Sequence, residues 1–253
     1  YGMVIVDECH HAAAVTHENV LRAVTARYVY GMSATINRGD KQDKKMFMQL
    51  GPIRHRYTAK ERAQKQGIGH YIYPRFTRLV DLNQSEDKNP SDYYRLIMQS
   101  ELRNMQIVSD VIDCVKRGRT PVVMTKYKEH AQKLYDMLQG VADHVFLLQG
   151  GKSLKERAAI REQMAAVRAD ESLVLVAIGQ YVGEGFNYPR LDTMLLAMPI
   201  SFEGNVEQHA GRLNRDYEGK KDAIIFDYID QHVPTLKRMY YKRLRAYKKI
   251  GYE

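Results

Sequence analysis

Apolar and polar positions in this chain fall into blocks whose period switches between strand-like and helix-like. The run at residues 3–6, Met-Val-Ile-Val, is continuously apolar and leads straight into Asp7 and Glu8, which reads as a strand buried on both faces with two acids at its carboxyl end. Residues 11–26 carry Val20, Leu21 and Val24 at helical spacing. Residues 27–32 read as a second short strand ending at Ser33, Ala34 and Thr35, and Met46, Phe47 and Leu50 mark a short helix. A helical stretch at 58–66 and an extended stretch at 71–80 read as the crossing between two lobes, followed by a polar surface loop at 83–91. A long helical run over 93–117 is closed by Gly118.

From there strands and helices alternate. Strands are expected at 121–125, 144–148, 173–178, 193–197 and 223–227, with helices at 129–138, 153–167 and 205–215. That order predicts an α/β fold with parallel sheets wrapped by helices. The expected division is residues 1–78 as the remainder of a first lobe with its crossing segment, 79–232 as a complete second lobe, and 233–253 as a basic terminal helix. Because the chain opens one step before a strand that reads as buried, upstream sequence is expected to belong to the first lobe.

Composition narrows the classes. With 44% hydrophobic and 27% charged residues the chain reads as globular, and no apolar run approaches the ~20 residues a membrane helix needs. Two cysteines, Cys9 and Cys114, make neither a disulfide framework nor a metal-ligand cluster, which fits a reducing cytoplasm. Lysine and arginine exceed the acids 39 to 30, for a net charge of +9, and the excess gathers in the last twenty residues or so, favouring a polyanionic partner. Seven of these cations lie between Lys237 and Lys249, where Leu236, Met239, Tyr240, Arg243, Leu244 and Tyr247 follow helical spacing. That helix reads either as a solvated face or as a phosphate-contacting one with tyrosines available for stacking.

The candidate chemistry lies at four places. Asp7 and Glu8 suit Mg²⁺ ligation and activation of a water. Ser33 and Thr35 put hydroxyls at another strand end. Gly179, Gly183 and Gly185 follow the 173–178 strand, where missing side chains let backbone amides approach phosphate or ribose. Gln208, Arg212 and Arg215 recur at helical spacing, offering an amide and two guanidinium forks to a developing phosphoryl charge. Gly211 in the middle of that helix costs ~1 kcal/mol against alanine, which solubility alone does not explain.

In this order, Val-Ile-Val-Asp-Glu-Cys-His at 4–10, Ser-Ala-Thr at 33–35, Gly-Glu-Gly-Phe-Asn-Tyr-Pro at 183–189 and Gln-x-x-Gly-Arg-x-x-Arg at 208–215 resemble motifs II, III, V and VI of superfamily 2 helicases and translocases. The likeness is nearest to the DEAD/DEAH-box-like group that includes restriction-enzyme Res subunits and related defence helicases. It covers nearly the whole chain. It implies two RecA-like lobes, the first lacking its phosphate-loop half, that close on ATP and Mg²⁺ with nucleic acid across both, DNA in preference to RNA, and restriction or defence-system subunits as partners.

By position the resemblance gives Asp7 the metal and Glu8 the role of base. Gln208 would contact the γ-phosphate or the attacking water, with Arg212 and Arg215 as arginine fingers. Gly183, Gly185 and Asn187 would lie near the nucleotide, and His10, Ser33 and Thr35 would couple it to the other lobe. Thr125, Lys126, Gly150, Gly151 and Gly179 would face nucleic acid. Two positions depart from the family pattern: Asn187 stands where many relatives have aspartate, and Gly179 where many have threonine. No Gly-x-x-x-x-Gly-Lys-Ser/Thr occurs in the 253 residues, so this chain by itself is expected not to hydrolyse ATP. The alternative is a nucleic-acid-binding or scaffold module of RecA-like fold that is not a motor.

Overall fold

The computed structural model describes the chain apart from residues 10, 11, 13, 14, 34–42, 56–60, 62–64, 66, 82–88, 152, 180–186, 201 and 202. Two compact units divide it, Tyr1–Thr58 and Ala59–Glu253. The expected helix at 58–66 lies outside the described residues except at 61 and 65, and of the expected loop at 83–91 only residues 89–91 are described, where Asn89 is the N-cap of a helix and Pro90 and Ser91 its first residues.

In the first unit, β1 (Met3–Val6) and β2 (Tyr28–Gly31) form a parallel pair with Val6 opposite Gly31. The helices α1 (Val15–Arg22) and α2 (Asp43–Leu50) accompany them. Cys9, Ala12 and Met46 form the buried centre, with Val6, Leu21, Phe47 and Leu50 against it. The expectation that β1 is buried on both faces is corrected. Met3 and Ile5 are 53% and 55% exposed, because among the described residues the cluster covers only the face that carries Val4 and Val6. Gly31 is where a side chain would not fit: a β-carbon there would stand 2.8 Å from Leu50 Cδ1 and 2.9 Å from Cys9 Sγ.

The second unit is a three-layer α/β structure on a six-stranded sheet. Its strands are β3 (Gly69–Phe76), β4 (Pro121–Thr125), β5 (His144–Leu148), β6 (Leu173–Ile178), β7 (Thr193–Leu196) and β8 (Asp222–Ile229), in the order β3-β8-β7-β4-β6-β5 with every neighbouring pair parallel. Its helices are α3 (Pro90–Gln99), α4 (Glu101–Lys116), α5 (Lys128–Met137), α6 (Leu154–Ala166), α7 (Glu203–Leu213) and α8 (Pro234–Ile250).

Side chains alternate between two cores along the central strands. Val122, Met124, Leu175, Met194 and Leu196 enter a cluster shared with Val206, Ala210 and Leu213 of α7 and Ala246, Tyr247 and Ile250 of α8. Their neighbours Val123, Val174, Val176 and Leu195 enter a second cluster with Ile107 and Val111 of α4 and Ala131 and Leu134 of α5. Both faces are therefore dry, and each such buried aliphatic side chain contributes about 1.5–3 kcal/mol.

Three boundaries differ from the sequence reading. The expected helix over 93–117 is two helices joined at Ser100, which ends α3 and caps α4 by accepting from the Arg103 backbone N–H at 3.4 Å. Residues 69–76 are not a crossing segment but a full strand paired with β8, in the second unit. The terminal helix packs into the same core as α7 and is not a separate domain.

Candidate nucleotide and nucleic-acid sites

The first unit places its acids as the sequence order requires. β1 ends at Val6 and the chain turns through Asp7, exposed, and Glu8, half-buried. The Glu8 N–H donates to Asp7 Oδ1 at 2.9 Å, and Glu8 has φ 46°, a left-handed conformation that costs a residue with a β-carbon ~1–2 kcal/mol. Strain at a carboxylate beyond a strand's carboxyl end is characteristic of functional positions. Cys9 N–H donates to the Met32 carbonyl at 2.9 Å and Met32 N–H to the Val6 carbonyl at 2.8 Å, so Ser33, half-buried, follows directly on the residue tied to the acid turn. Burial pushes the Cys9 thiol up, with the charges of Glu8 and Asp7 adding to the effect, so this cysteine is packing rather than a nucleophile. His10 and Thr35 lie outside the described residues.

Among the described residues no three His, Cys, Asp or Glu side chains gather as a metal cage. A lone carboxylate with a neighbouring acid fits Mg²⁺ better than zinc or calcium, since Mg²⁺ is commonly held by one or two carboxylates plus substrate phosphates and water.

In the second unit, parallel strands deliver Thr125, Gly150, Gly151 and Gly179 to one carboxyl edge. Thr125 differs from the expectation of a surface contact. It is 5% exposed and its hydroxyl lies 2.8 Å from His130 Nδ1, while His130 Nε2 lies 3.0 Å from Asn104 Oδ1. The next residue, Lys126, is exposed, with its ammonium 4.5 Å from the centroid of Tyr94 and 5.6 Å from that of Tyr127. Gly151 has φ 93°, and a β-carbon on it would stand 3.3 Å from Lys128 Nζ. Gly183 and Gly185 are outside the described residues, and Asn187, just beyond them, is exposed.

Gln208 and Arg212 stand on α7, both half-buried, and Arg215 follows the helix end. The imidazole of His209 packs over Gly179: a β-carbon on that glycine would lie 3.3 Å from His209 Cε1 and Nε2. Burial, with the Arg212 charge, pulls His209 down to about 4, so the ring is neutral. The start of the glycine loop and the arginine helix are therefore in direct contact.

Sequence reading missed what holds the end of that helix. Lys220 Nζ donates to the carbonyls of Pro189 at 2.6 Å, Leu213 at 2.9 Å and Arg215 at 2.9 Å, using all three of its hydrogens. Burial pulls its ammonium down to about 8 against the attraction of Asp192 and Asp216. Asn214, 4% exposed, accepts from the Tyr252 hydroxyl at 2.9 Å, and Tyr252 stacks on His70 at 4.8 Å. A lysine seven residues past a helix end carries no local signal for such a role. Arg215 itself keeps a buried Nε with no hydrogen-bond partner among the described residues, a cationic donor suited to an anionic oxygen.

Each unit has a parallel sheet, with Asp7 and Glu8 beyond a strand end in the first and Gly179 beyond one in the second, and comparison with known proteins agrees with such a fold. The model of the family described as "Type III restriction enzyme, res subunit" matches residues 1–38. The probable helicase D10 of Escherichia phage T5 is 27% identical over 242 residues, which is 90% of this chain and 49% of the relative. The ATP-dependent DNA helicase uvsW of Enterobacteria phage T4 is 20% identical over 234 residues, 91% of this chain and 46% of the relative. Thus the chain spans about half the length of these curated relatives. Among solved structures, a fragment of a putative HsdR subunit of a type I restriction enzyme from Vibrio vulnificus shares the fold with a TM-score of 0.62 at 17% identity, over 96% of this chain and 46% of that one. Together the family match and the helicase relatives support a superfamily 2 helicase-like family.

Proposed function

We propose that this chain is the motif II to motif VI portion of an ATP-dependent helicase or translocase acting on nucleic acid, DNA in preference to RNA. Its partners are an N-terminal part of its own chain that carries the phosphate loop, and restriction or defence-system subunits in the cytoplasm. The reading is supported by the named helicase relatives, and one observation carries it: His209 against Gly179 and Lys220 on the carbonyls of Pro189, Leu213 and Arg215 make one assembly of motifs V and VI.

In this reading Asp7 would hold Mg²⁺, which supplies positive charge to the phosphates, and Glu8 takes the proton of an attacking water. Gln208 orients that water or the γ-phosphate. Arg212 and Arg215 stabilise the charge that develops on transfer, a role worth roughly 10³–10⁵ in rate in phosphoryl-transfer enzymes. Gly183, Gly185 and Asn187 line the nucleotide, while His10, Ser33 and Thr35 carry its state onward. Lys126, Gly150, Gly151 and Gly179 contact the nucleic-acid backbone. Thr125 contributes by fixing the base of Lys126 through its bond to His130.

The test is ATP turnover by the full-length protein with single- and double-stranded DNA and RNA, beside Glu8→Gln. Stimulated turnover that Glu8→Gln abolishes while nucleotide still binds is the expected result. Absence of turnover in the full-length protein under every nucleic acid replaces the motor with the non-motor binding module. The 253-residue chain alone is expected to be inactive, because no Gly-x-x-x-x-Gly-Lys-Ser/Thr is present to cradle the phosphates.

A further inference from the structure

The exposed face of α8 is a run of cations with no compensating acid. From Lys237 to Lys249 the exposed positions are Lys237, Arg238, Lys242, Arg245, Lys248 and Lys249, interrupted only by Tyr241, and no aspartate or glutamate occurs anywhere in Pro234–Ile250. Among the described residues none of the six has an acidic partner. The seventh cation behaves differently. Arg243 is turned inward, 2% exposed, and paired bidentately with Asp227 at 2.8 Å on both oxygens.

A face kept only for hydration would mix signs, because Glu–Lys pairs one turn apart stabilise a helix whereas like charges there destabilise it by about 0.2–0.5 kcal/mol per pair. Here Arg238–Lys242 and Arg245–Lys249 are like-charge pairs four apart, and Lys242–Arg245 and Arg245–Lys248 are three apart. The repulsion is unrelieved within the chain, so it is available to a polyanion. Arg238 to Lys249 spans ~16 Å of helix, the axial length of about five phosphates on one strand of a duplex.

Other partners fit less well. A membrane-surface helix inserts its apolar face, but Leu236, Ala246, Tyr247 and Ile250 of α8 are already committed to the core. A protein interface centres on an apolar patch, and the exposed face offers Tyr241 alone. The helix also continues a surface already assigned to nucleic acid. Val233 and Leu236 pack in one cluster with Tyr94 and Tyr127, and Lys126 lies over Tyr94.

We infer that the Lys237–Lys249 face of α8 is a sequence-independent contact for the phosphate backbone of duplex nucleic acid, additional to the motif loops. The choice of nucleic acid as the polyanion rests on the proposed function; the existence of a polyanion surface does not.

The experiment is nucleotide-free equilibrium binding of the full chain to a labelled short duplex DNA of arbitrary sequence between ~50 and ~200 mM salt, for wild type and for Lys242→Gln/Arg245→Gln/Lys249→Gln. At about 0.9 per phosphate contact, the triple variant should lower the slope of log affinity against log salt by about 2.7, so that the affinity lost across that range is roughly 40-fold smaller. The charge-conserving variant Lys242→Arg/Arg245→Lys/Lys249→Arg should keep the wild-type slope. An unchanged slope in the glutamine variant overturns the inference, as does loss of slope in the charge-conserving one. A third overturning result is a glutamine variant that loses binding to phosphatidylserine vesicles while its DNA slope is unaltered. ATP turnover reads the motor proposal separately, so an inactive protein with the expected slope change leaves this surface standing, and an active one without it removes this surface alone.

Discussion

Lys220 Nζ donates to the Arg215 carbonyl at 2.9 Å, and the same ammonium holds Leu213 and Pro189. The segment that presents the second candidate arginine finger is thus fixed through its backbone, from a residue with no contact to substrate in the proposed chemistry. Lys220→Met keeps the aliphatic stem but strands three carbonyls, and hydrogen bonds to a charged group are worth about 1.5–3 kcal/mol each before relaxation and solvent. A stability loss of about 2–4 kcal/mol in urea unfolding is expected, with partial recovery in Lys220→Arg. In the full-length protein ATP turnover should fall while affinity for nucleotide changes little. A Lys220→Met variant with wild-type stability and turnover would remove the clamp from the account.

Gly179, ahead of motif V, and His209 of motif VI make a matched pair. A β-carbon at Gly179 would sit 3.3 Å from two ring atoms, close enough that the imidazole must yield. Gly179→Ala is expected to cost ~1 kcal/mol or more through overpacking, and far less in a His209→Ala background. A double-mutant cycle by thermal or urea unfolding should give a coupling of about 0.5–3 kcal/mol, whereas additive effects would mean that the ring is not held against the glycine.

The strands β4 and β6 were legible to the residue because strands buried on both faces read as apolar runs, and the edge strand β5 because Val-Phe-Leu-Leu is apolar along its length after His144. What the sequence hid is non-local. The residues 69–76 pair with a strand some 150 positions later, and nothing in Tyr-Ile-Tyr-Pro-Arg announces that partner, although Pro74 is compatible with the edge strand that β3 forms. The apolar spacing carries past Ser100, so the cap that splits α3 from α4 reads in the sequence as helix interior. In the candidate site, motif order singles out Asp7, Glu8, Gln208 and Arg212. It did not reveal that the Thr125 hydroxyl turns inward to His130, or that Lys220 grips the chain beyond α7, since both depend on which elements the fold brings together.

Asp227 and Arg243, each with 1% of its side chain exposed, anchor α8 to the sheet, with the Tyr247 hydroxyl donating to the same carboxylate at 3.1 Å. Removing one partner leaves a buried guanidinium uncompensated, which typically costs about 3–5 kcal/mol. Asp227→Asn should therefore lower the urea midpoint sharply. The paired replacement Asp227→Leu/Arg243→Met should be less damaging than the sum of its single changes. Additive losses in that cycle would show that the two side chains do not act as a pair.

Acid should destabilise the second unit through His130. Asn104 Nδ2 donates to the Met98 carbonyl at 3.0 Å, so its Oδ1 is the atom facing His130 Nε2, which must carry the proton. The Thr125 hydroxyl then donates to Nδ1. Burial, reinforced by the positive charges of Arg103 and Lys133, pulls His130 down to about 3, and burial beside Arg212 takes His209 to about 4. Both folded values lie below the ordinary histidine value of 6.5, so between there and their folded values the unfolded chain binds more protons. Stability is thus full above pH ~6.5 and falls progressively as pH drops toward 3–4, each unit of depression being worth about 1.4 kcal/mol. His130→Gln should be less stable than wild type at neutral pH, yet lose less further stability on acidification, because one of the two titrating rings is gone. Unfolding midpoints measured from pH 7.5 to 4 by circular dichroism would test this, and a variant whose midpoint falls with pH as steeply as the wild type's would show that His130 is not held neutral by the fold.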